Sequence, residues 1–365
     1  MAPRVRESVL KISPYKAGES KVEGVDKIIK LSSNENTAGP SPAAVEAYRA
    51  AADRIAFYPE PTSARLRVAL ADHWGLEADR IITGTGSDNL LDLICQAYAA
   101  AGDEVLFPAL TFPMYEIAAN SMGATPVKVA MDGDAVSIDA LIDAANEKTK
   151  IVYLANPNNP TGHYLPKSEV ERLRAGLPID TLLVLDSAYA EYVEDPAYSA
   201  GVDLVKTAIH SGANNVIMTR TFSKMYALAG LRIGWAYGPD DVIDALGRIR
   251  APFAVSVPAE EAALAALTDE ESFKRSLALN SEWLPKINAA LKAHGFDVTE
   301  GTGNFVFFRV PEALGTWAEL DAHLKTSGII VRAMPPAGAL RVTVGRAHEN
   351  EAFLGAVATY VDARS

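Results

Sequence analysis

Lys224 closes the run Thr219-Arg220-Thr221-Phe222-Ser223-Lys224, and Arg232 follows beyond the turn-like Ala229-Gly230-Leu231. A lysine can form a Schiff base with a carbonyl compound, while hydroxyls and an arginine are common ligands of phosphate. The same residues at a plain surface turn would do no chemistry, because most lysines are simply solvated charges. Asn156-Pro157-Asn158-Asn159-Pro160-Thr161-Gly162 follows an apolar run. Two prolines and a glycine make that loop rigid, at the strand end where open α/β sheets bind ligands; a plain turn is the other reading. Asp186-Ser187-Ala188-Tyr189 ends the apolar run Leu182–Leu185. A carboxylate there is costly unless a cation partners it, although an aspartate can also cap a following helix. Gly84-Thr85-Gly86-Ser87-Asp88 precedes a helical pattern, so backbone N–H groups could approach a phosphate. Asn89 stands where the third glycine of a dinucleotide fingerprint belongs, which disfavours a nicotinamide enzyme.

The elements that must position these residues alternate between short β-branched runs and longer amphipathic ones. Strands are predicted at Arg80–Thr83, Glu104–Phe107, Thr125–Val129, Lys150–Leu154, Leu182–Leu185, Asn215–Met218 and Ile233–Tyr237. Helices are predicted between them at Asp88–Ala100, Ser137–Ala145 and Lys167–Ala175. This is the pattern of an α/β fold with a mainly parallel seven-stranded sheet. From Val257 the texture becomes helical, with Ala259–Leu267 and Glu271–Ala293, followed by strand-like Asn304–Val310, Gly328–Val331 and Leu340–Val344 and a terminal helix, Glu349–Ala363. The expected organisation is a large domain over 51–270, with 1–50 and 271–365 supplying an N-terminal arm and a small α+β domain.

Composition bounds the partners. The 365 residues carry 34 Lys and Arg against 46 Asp and Glu, a net charge of −12, which argues against nucleic acid and anionic membranes as ligands. The basic Arg4 and Arg6 precede no apolar signal core, and no run of about 18 apolar residues occurs, so a cytoplasmic protein is expected. The single Cys95 lies in the apolar stretch Leu90–Cys95 and reads as packed and inert. The six histidines form no ligand-like cluster, so no metal is expected. Ser8-Val9-Leu10-Lys11 has the spacing of a serine–lysine hydrolase but lacks the partnering Lys-Thr-Gly.

In this order on these strands, the four segments resemble the fold-type I pyridoxal-phosphate aminotransferases along essentially the whole chain. Ser13-Pro14-Tyr15, Leu31-Ser32-Ser33-Asn34-Glu35-Asn36, Phe57-Tyr58-Pro59 and Leu340-Arg341-Val342-Thr343-Val344-Gly345 are similar to the histidinol-phosphate aminotransferase branch. The resemblance implies that Lys224 holds pyridoxal 5'-phosphate as a Schiff base and moves the substrate Cα proton. It implies that Asp186 pairs with the ring nitrogen, that Tyr189 and Asn159 bond the ring's phenolic oxygen, and that Phe112 stacks on the ring. Gly86, Ser87, Thr221, Ser223 and Arg232 would bind the cofactor phosphate, with Tyr58 reaching it from the other subunit of a homodimer. Arg341 would take the substrate carboxylate, with Tyr15, Asn159 and Arg332 completing the substrate site.

Three positions depart from the family pattern. Thr37 replaces the proline of Asn-Glu-Asn-Pro, Ser187 replaces a glutamate, and the segment between Arg332 and Arg341 is short and lacks a glycine–aromatic pair. The implied reaction is amino transfer between histidinol phosphate and 2-oxoglutarate, in histidine biosynthesis. Alternatives on the same cofactor are transamination of aromatic amino acids and decarboxylation of an amino acid phosphate.

Overall fold

The apolar runs become strands buried on both faces, as the interior of a parallel sheet requires. Thr149–Ala155 is buried at every position but Lys150. In this computed structural model, which describes residues 3–15, 18–25 and 27–364, the strands in chain order are β1 (Ile29–Lys30), β2 (Ile81–Gly84), β3 (Glu104–Pro108), β4 (Thr125–Val129), β5 (Thr149–Ala155), β6 (Leu182–Asp186), β7 (Val216–Thr221), β8 (Gly234–Tyr237), β9 (Asp297–Thr299), β10 (Phe305–Arg309), β11 (Ile329–Ile330), β12 (Arg332–Met334) and β13 (Ala339–Thr343).

The large sheet has the order β2-β8-β7-β6-β5-β3-β4. Strand β8 runs antiparallel to both neighbours, and the other pairings are parallel. Alternation along each strand sends side chains to opposite faces. Val152, Leu154, Leu183 and Leu185 join one core; Ile151, Tyr153, Leu182 and Val184 join the other. Each such side chain contributes about 1.5–3 kcal/mol by leaving water. Because β5, β6 and β7 are parallel, Ala155, Asp186 and Thr221 end at one edge, and the loops that follow share it.

The second sheet, β12-β13-β10-β9, is antiparallel. It packs on helices Glu270–Ala293, Trp317–Thr326 and Ala347–Asp362 around a third core that includes Trp283, Leu324, Phe308 and Phe353. Strand β1 pairs in parallel with β11, and the Thr343 N–H then donates to the Leu31 carbonyl at 2.9 Å. The arm after β1 is thereby laid against the second sheet and carried across to the edge of the first.

All seven expected strands of the large sheet are present within a few residues of their expected bounds. Helices Ala64–Trp74, Met114–Met122, Val202–His210, Asp240–Ile249 and Trp317–Thr326 have no counterpart among the expected helices. They are short, and Ala64–Trp74 buries only Leu66, Leu70 and Ala71, so its apolar stripe is narrow. Cys95 is fully buried, and burial pushes its thiol up to about 12. Among the described residues no helix is long and apolar enough to cross a membrane.

Candidate active site

At the end of β2 the chain turns through Gly86, at φ +94°, into helix Ser87–Tyr98, whose first turn has no side-chain cap. A Cβ on Gly86 would collide with the ends of Asp88 and Arg232, and one on Gly234 would collide with the Ser87 nitrogen. Glycine is required at Gly86 by its positive φ and at Gly234 because β8 passes against the helix start. Arg232, itself left-handed at φ +52°, donates to Asp88 Oδ1 at 2.6 Å, to Ser223 Oγ at 3.4 Å and to the Ala229 carbonyl at 3.3 Å. Thr221 Oγ1 accepts the Ser223 N–H at 3.1 Å. Amide groups, two hydroxyls and a guanidinium therefore meet at one helix N-terminus, the chemistry of an anion site.

Asp186 ends β6 almost wholly buried, at 5% exposure. Burial pushes its carboxyl up, while Tyr115, Thr219 and the Ala188 N–H pull it back by donating to the ionised form. Tyr115 Oη donates to Asp186 Oδ2 at 2.7 Å, and Thr219 Oγ1 lies 3.4 Å from Oδ1. Thr219 reaches it because the two residues are register partners of β6 and β7.

Lys224 follows β7, and its Nζ donates to the Asn34 carbonyl at 3.4 Å and lies 5.6 Å from the centre of the Tyr189 ring. Tyr189 is buried edge-on to Phe305, and its phenolic oxygen accepts Asn34 Nδ2 at 2.9 Å. Asn34 has φ +53°, a conformation in which asparagine is one of the tolerated residues. Thr343 Oγ1 accepts its N–H at 2.9 Å, and Asn304 Nδ2 donates to its carbonyl at 3.0 Å.

Arg341 projects from β13 at 8% exposure. It donates to Asn159 Oδ1 at 2.5 Å and to the Ser32 carbonyl at 3.1 Å, and its buried Nε has no partner among the described residues. Burial first, and then the charge of nearby Arg332, lower this guanidinium to about 10. Arg332 is the register partner of Arg341 on β12, and its guanidinium carbon lies 6.0 Å from the centre of the Tyr15 ring. Asn159 comes from the loop after β5, whose Asn156-Pro157 and Asn159-Pro160 bonds are both cis.

Tyr15, Ser87, Phe112, Asn159, Asp186, Tyr189, Thr221, Ser223, Lys224 and Arg232 line one cavity of about 210 Å³. An adjoining cavity of about 130 Å³ reaches Arg332 and Arg341 and shares Tyr15, Phe112, Asn159, Tyr189 and Lys224 with the first. Tyr58 is apart from both: it is 81% exposed and stacks on Phe253 at 4.6 Å. Sequence reasoning singled out neither Asn34 nor Tyr115 nor Asp88 for the site. For Asn34 the signal was present in the arm motif; Tyr115 offered none, because its partner is 71 residues away.

These residues suit pyridoxal phosphate on the structure's own terms. Asp186 is a buried carboxylate with no ion-pair partner among the described residues, matching a protonated ring nitrogen. The glycine cradle at Ser87 matches a phosphate, and Lys224 lines the same cavity as both.

The chain belongs to the aminotransferase class I and II family, whose profile it matches over residues 26–357. Its fold is that of the fold-type I aminotransferases, and it is a transaminase. It is 47% identical to a histidinol-phosphate aminotransferase of Paramagnetospirillum magneticum, covering 99% of each chain, and 44% identical to one of Maricaulis maris, covering 100% of each. A crystal structure of histidinol-phosphate aminotransferase from Sinorhizobium meliloti in complex with pyridoxal-5'-phosphate superposes with a TM-score of 0.89 at 28% identity, covering 100% of this chain and 99% of that one.

Proposed function

We propose that the chain transfers an amino group between histidinol phosphate and 2-oxoglutarate, using pyridoxal phosphate in this cavity. The observation that carries the reading is the pairing of buried Arg341, whose Nε has no partner among the described residues, with Arg332 across β12 and β13 at the cavity that Lys224 also lines. Two guanidiniums at that wall suit a substrate phosphate in one half-reaction and a carboxylate in the other. The relatives named above support the same substrate.

Bound pyridoxal phosphate supplies an electrophilic aldehyde and an electron-accepting ring that acidifies the substrate Cα–H. Lys224 Nζ would take the proton from the substrate Cα and deliver it to the cofactor carbon that carried the aldehyde. Asp186 keeps a proton at the ring nitrogen. Tyr189 Oη and Asn159 would hydrogen-bond the ring's phenolic oxygen, and Phe112 would stack on the ring, with Ala188 also lining the cavity. Gly86, Ser87, Thr221, Ser223 and Arg232 anchor the phosphate, and Arg341 orients the carboxylate with Tyr15 and Arg332 beside it.

The enzyme is a cytoplasmic homodimer in this reading. Ile55, Phe57 and Tyr58 are 73%, 75% and 81% exposed in one chain, an apolar patch that a second copy would cover. Tyr58 would then reach the partner's phosphate site. The large unit, 51–270, would hold the cofactor, and the small unit, 271–365, the substrate arginines. The arm, 1–50, runs between them, with Ala44 in the large core and Leu31 in the small one.

The test is single-turnover bleaching of the cofactor-loaded enzyme's visible absorbance by histidinol phosphate, phenylalanine and tyrosine in parallel. Histidinol phosphate should react fastest; preference for the aromatic acids would overturn the substrate.

A further inference from the structure

Tyr115 is a buried ionisable group that the proposed reaction leaves unused. It sits at the start of helix Met114–Met122, fully buried, with its hydroxyl on Asp186 Oδ2 at 2.7 Å. Its ring meets Phe112 edge-on, at 5.8 Å and 87°, and lies parallel to Tyr153, at 4.6 Å and 3°. Tyr153 donates in turn to the Leu91 carbonyl at 2.7 Å, within the helix that begins at Ser87. One ring thus touches the cavity's aromatic wall, its buried carboxylate and a residue braced on the helix of the anion site.

Resting on the reading that Asp186 faces the ring nitrogen, we propose that Tyr115 is a positioning residue for cofactor binding, acting through Asp186. Its hydroxyl occupies Oδ2 at short range, while Oδ1 has the long 3.4 Å contact to Thr219 and keeps capacity to accept the ring N–H. A carboxylate has capacity for several donors, so one tyrosine steers it without saturating it. The donor is dependable because burial and the neighbouring Asp186 charge hold the phenol well above its ordinary range, keeping the proton on Tyr115. The other groups bearing on Asp186 are the Ala188 N–H, which donates to it, and Asp88, whose like charge disfavours ionisation. Tyr115 therefore opposes both burial and Asp88.

The test compares Tyr115→Phe with the wild type by measuring dissociation constants of two probes: pyridoxal phosphate, and its analogue with C–H in place of the ring nitrogen. The wild type should prefer the natural cofactor. Tyr115→Phe should weaken pyridoxal phosphate about tenfold, the size expected for one hydrogen bond to a charged group, and leave the analogue within about twofold. Equal weakening of both probes, or no weakening of either, would overturn the positioning role while leaving the Asp186 reading standing. A wild type that binds both probes equally would overturn both. Should Tyr115→Phe fail to fold, 3-fluorotyrosine at position 115 keeps the oxygen and strengthens the donor. It should tighten pyridoxal phosphate alone, and an unchanged ratio between the probes would count against the proposal.

Discussion

Asn34 and Tyr189, 155 residues apart, are joined by an amide-to-phenol hydrogen bond of 2.9 Å inside the candidate active site. The same asparagine accepts Lys224 Nζ on its carbonyl, so the arm presets two groups that the cofactor would meet. Asn34→Gly keeps the φ of +53° affordable and removes only the amide. It is expected to lower kcat about tenfold with a modest loss of stability. Asn34→Ala adds backbone strain of about 1 kcal/mol or more and should melt lower than the glycine variant. Equal melting of the two would contradict the strain assignment.

Lys224→Ala removes the cavity's proton carrier. The purified variant should lack the visible absorbance of the wild type and lose at least about 10³-fold in kcat. A wild type that stays colourless with added pyridoxal phosphate would end the cofactor reading.

Arg341→Lys replaces a planar fork, already pointed by Asn159 and the Ser32 carbonyl, with a point charge. Glutamate kcat/KM should fall about 100-fold, or about 2.7 kcal/mol, mostly through KM. Burial lowers this guanidinium from its ordinary range but leaves it charged across the working range of the enzyme, so the fork and not the charge is what the variant changes. Unchanged glutamate kinetics in Arg341→Lys would remove that assignment.

Asp92 offers a stabilising change away from the chemistry. Burial and, less, the Asp88 charge raise its carboxyl from 3.8 to about 6. The folded pKa exceeds the unfolded one, so ionised Asp92 opposes folding above pH 6, and the penalty disappears as pH falls below about 4. With allowance for solvent screening of a partly exposed group, Asp92→Asn should stabilise by about 1 kcal/mol at pH 7.5 and by nothing at pH 3.5. Melting curves at the two pH values decide it; a shift of equal size at both would disprove the titration argument.

Arg220 and Glu191 form an ion pair of 2.7 Å with side chains 4% and 3% exposed, the guanidinium carbon 4.1 Å from the centre of the Trp74 ring. The pair ties β7, which leads to Lys224, to the turn after Tyr189. Glu191→Ala strands a buried charge and should cost about 3–5 kcal/mol, while pairing it with Arg220→Met should restore much of the loss. A single variant as stable as wild type in denaturant would refute the pairing.

Local sequence determined the strands, the glycine turn at Gly86, the carboxylate ending β6 and the lysine after β7, because short continuous apolar runs and turn residues act over a few neighbours. With the family resemblance, that was enough to name most of the residues now found lining the cavity, from Ser87 to Arg232. Only the tertiary structure decided which carbonyl Lys224 meets, which hydroxyl holds Asp186 and which residues brace Tyr189. Those contacts span 190, 71 and 155 residues and depend on strand order, on β8 running against its neighbours and on β1 pairing with β11. A local pattern carries no record of register between distant strands, and register is what sets an angle and a distance inside a site.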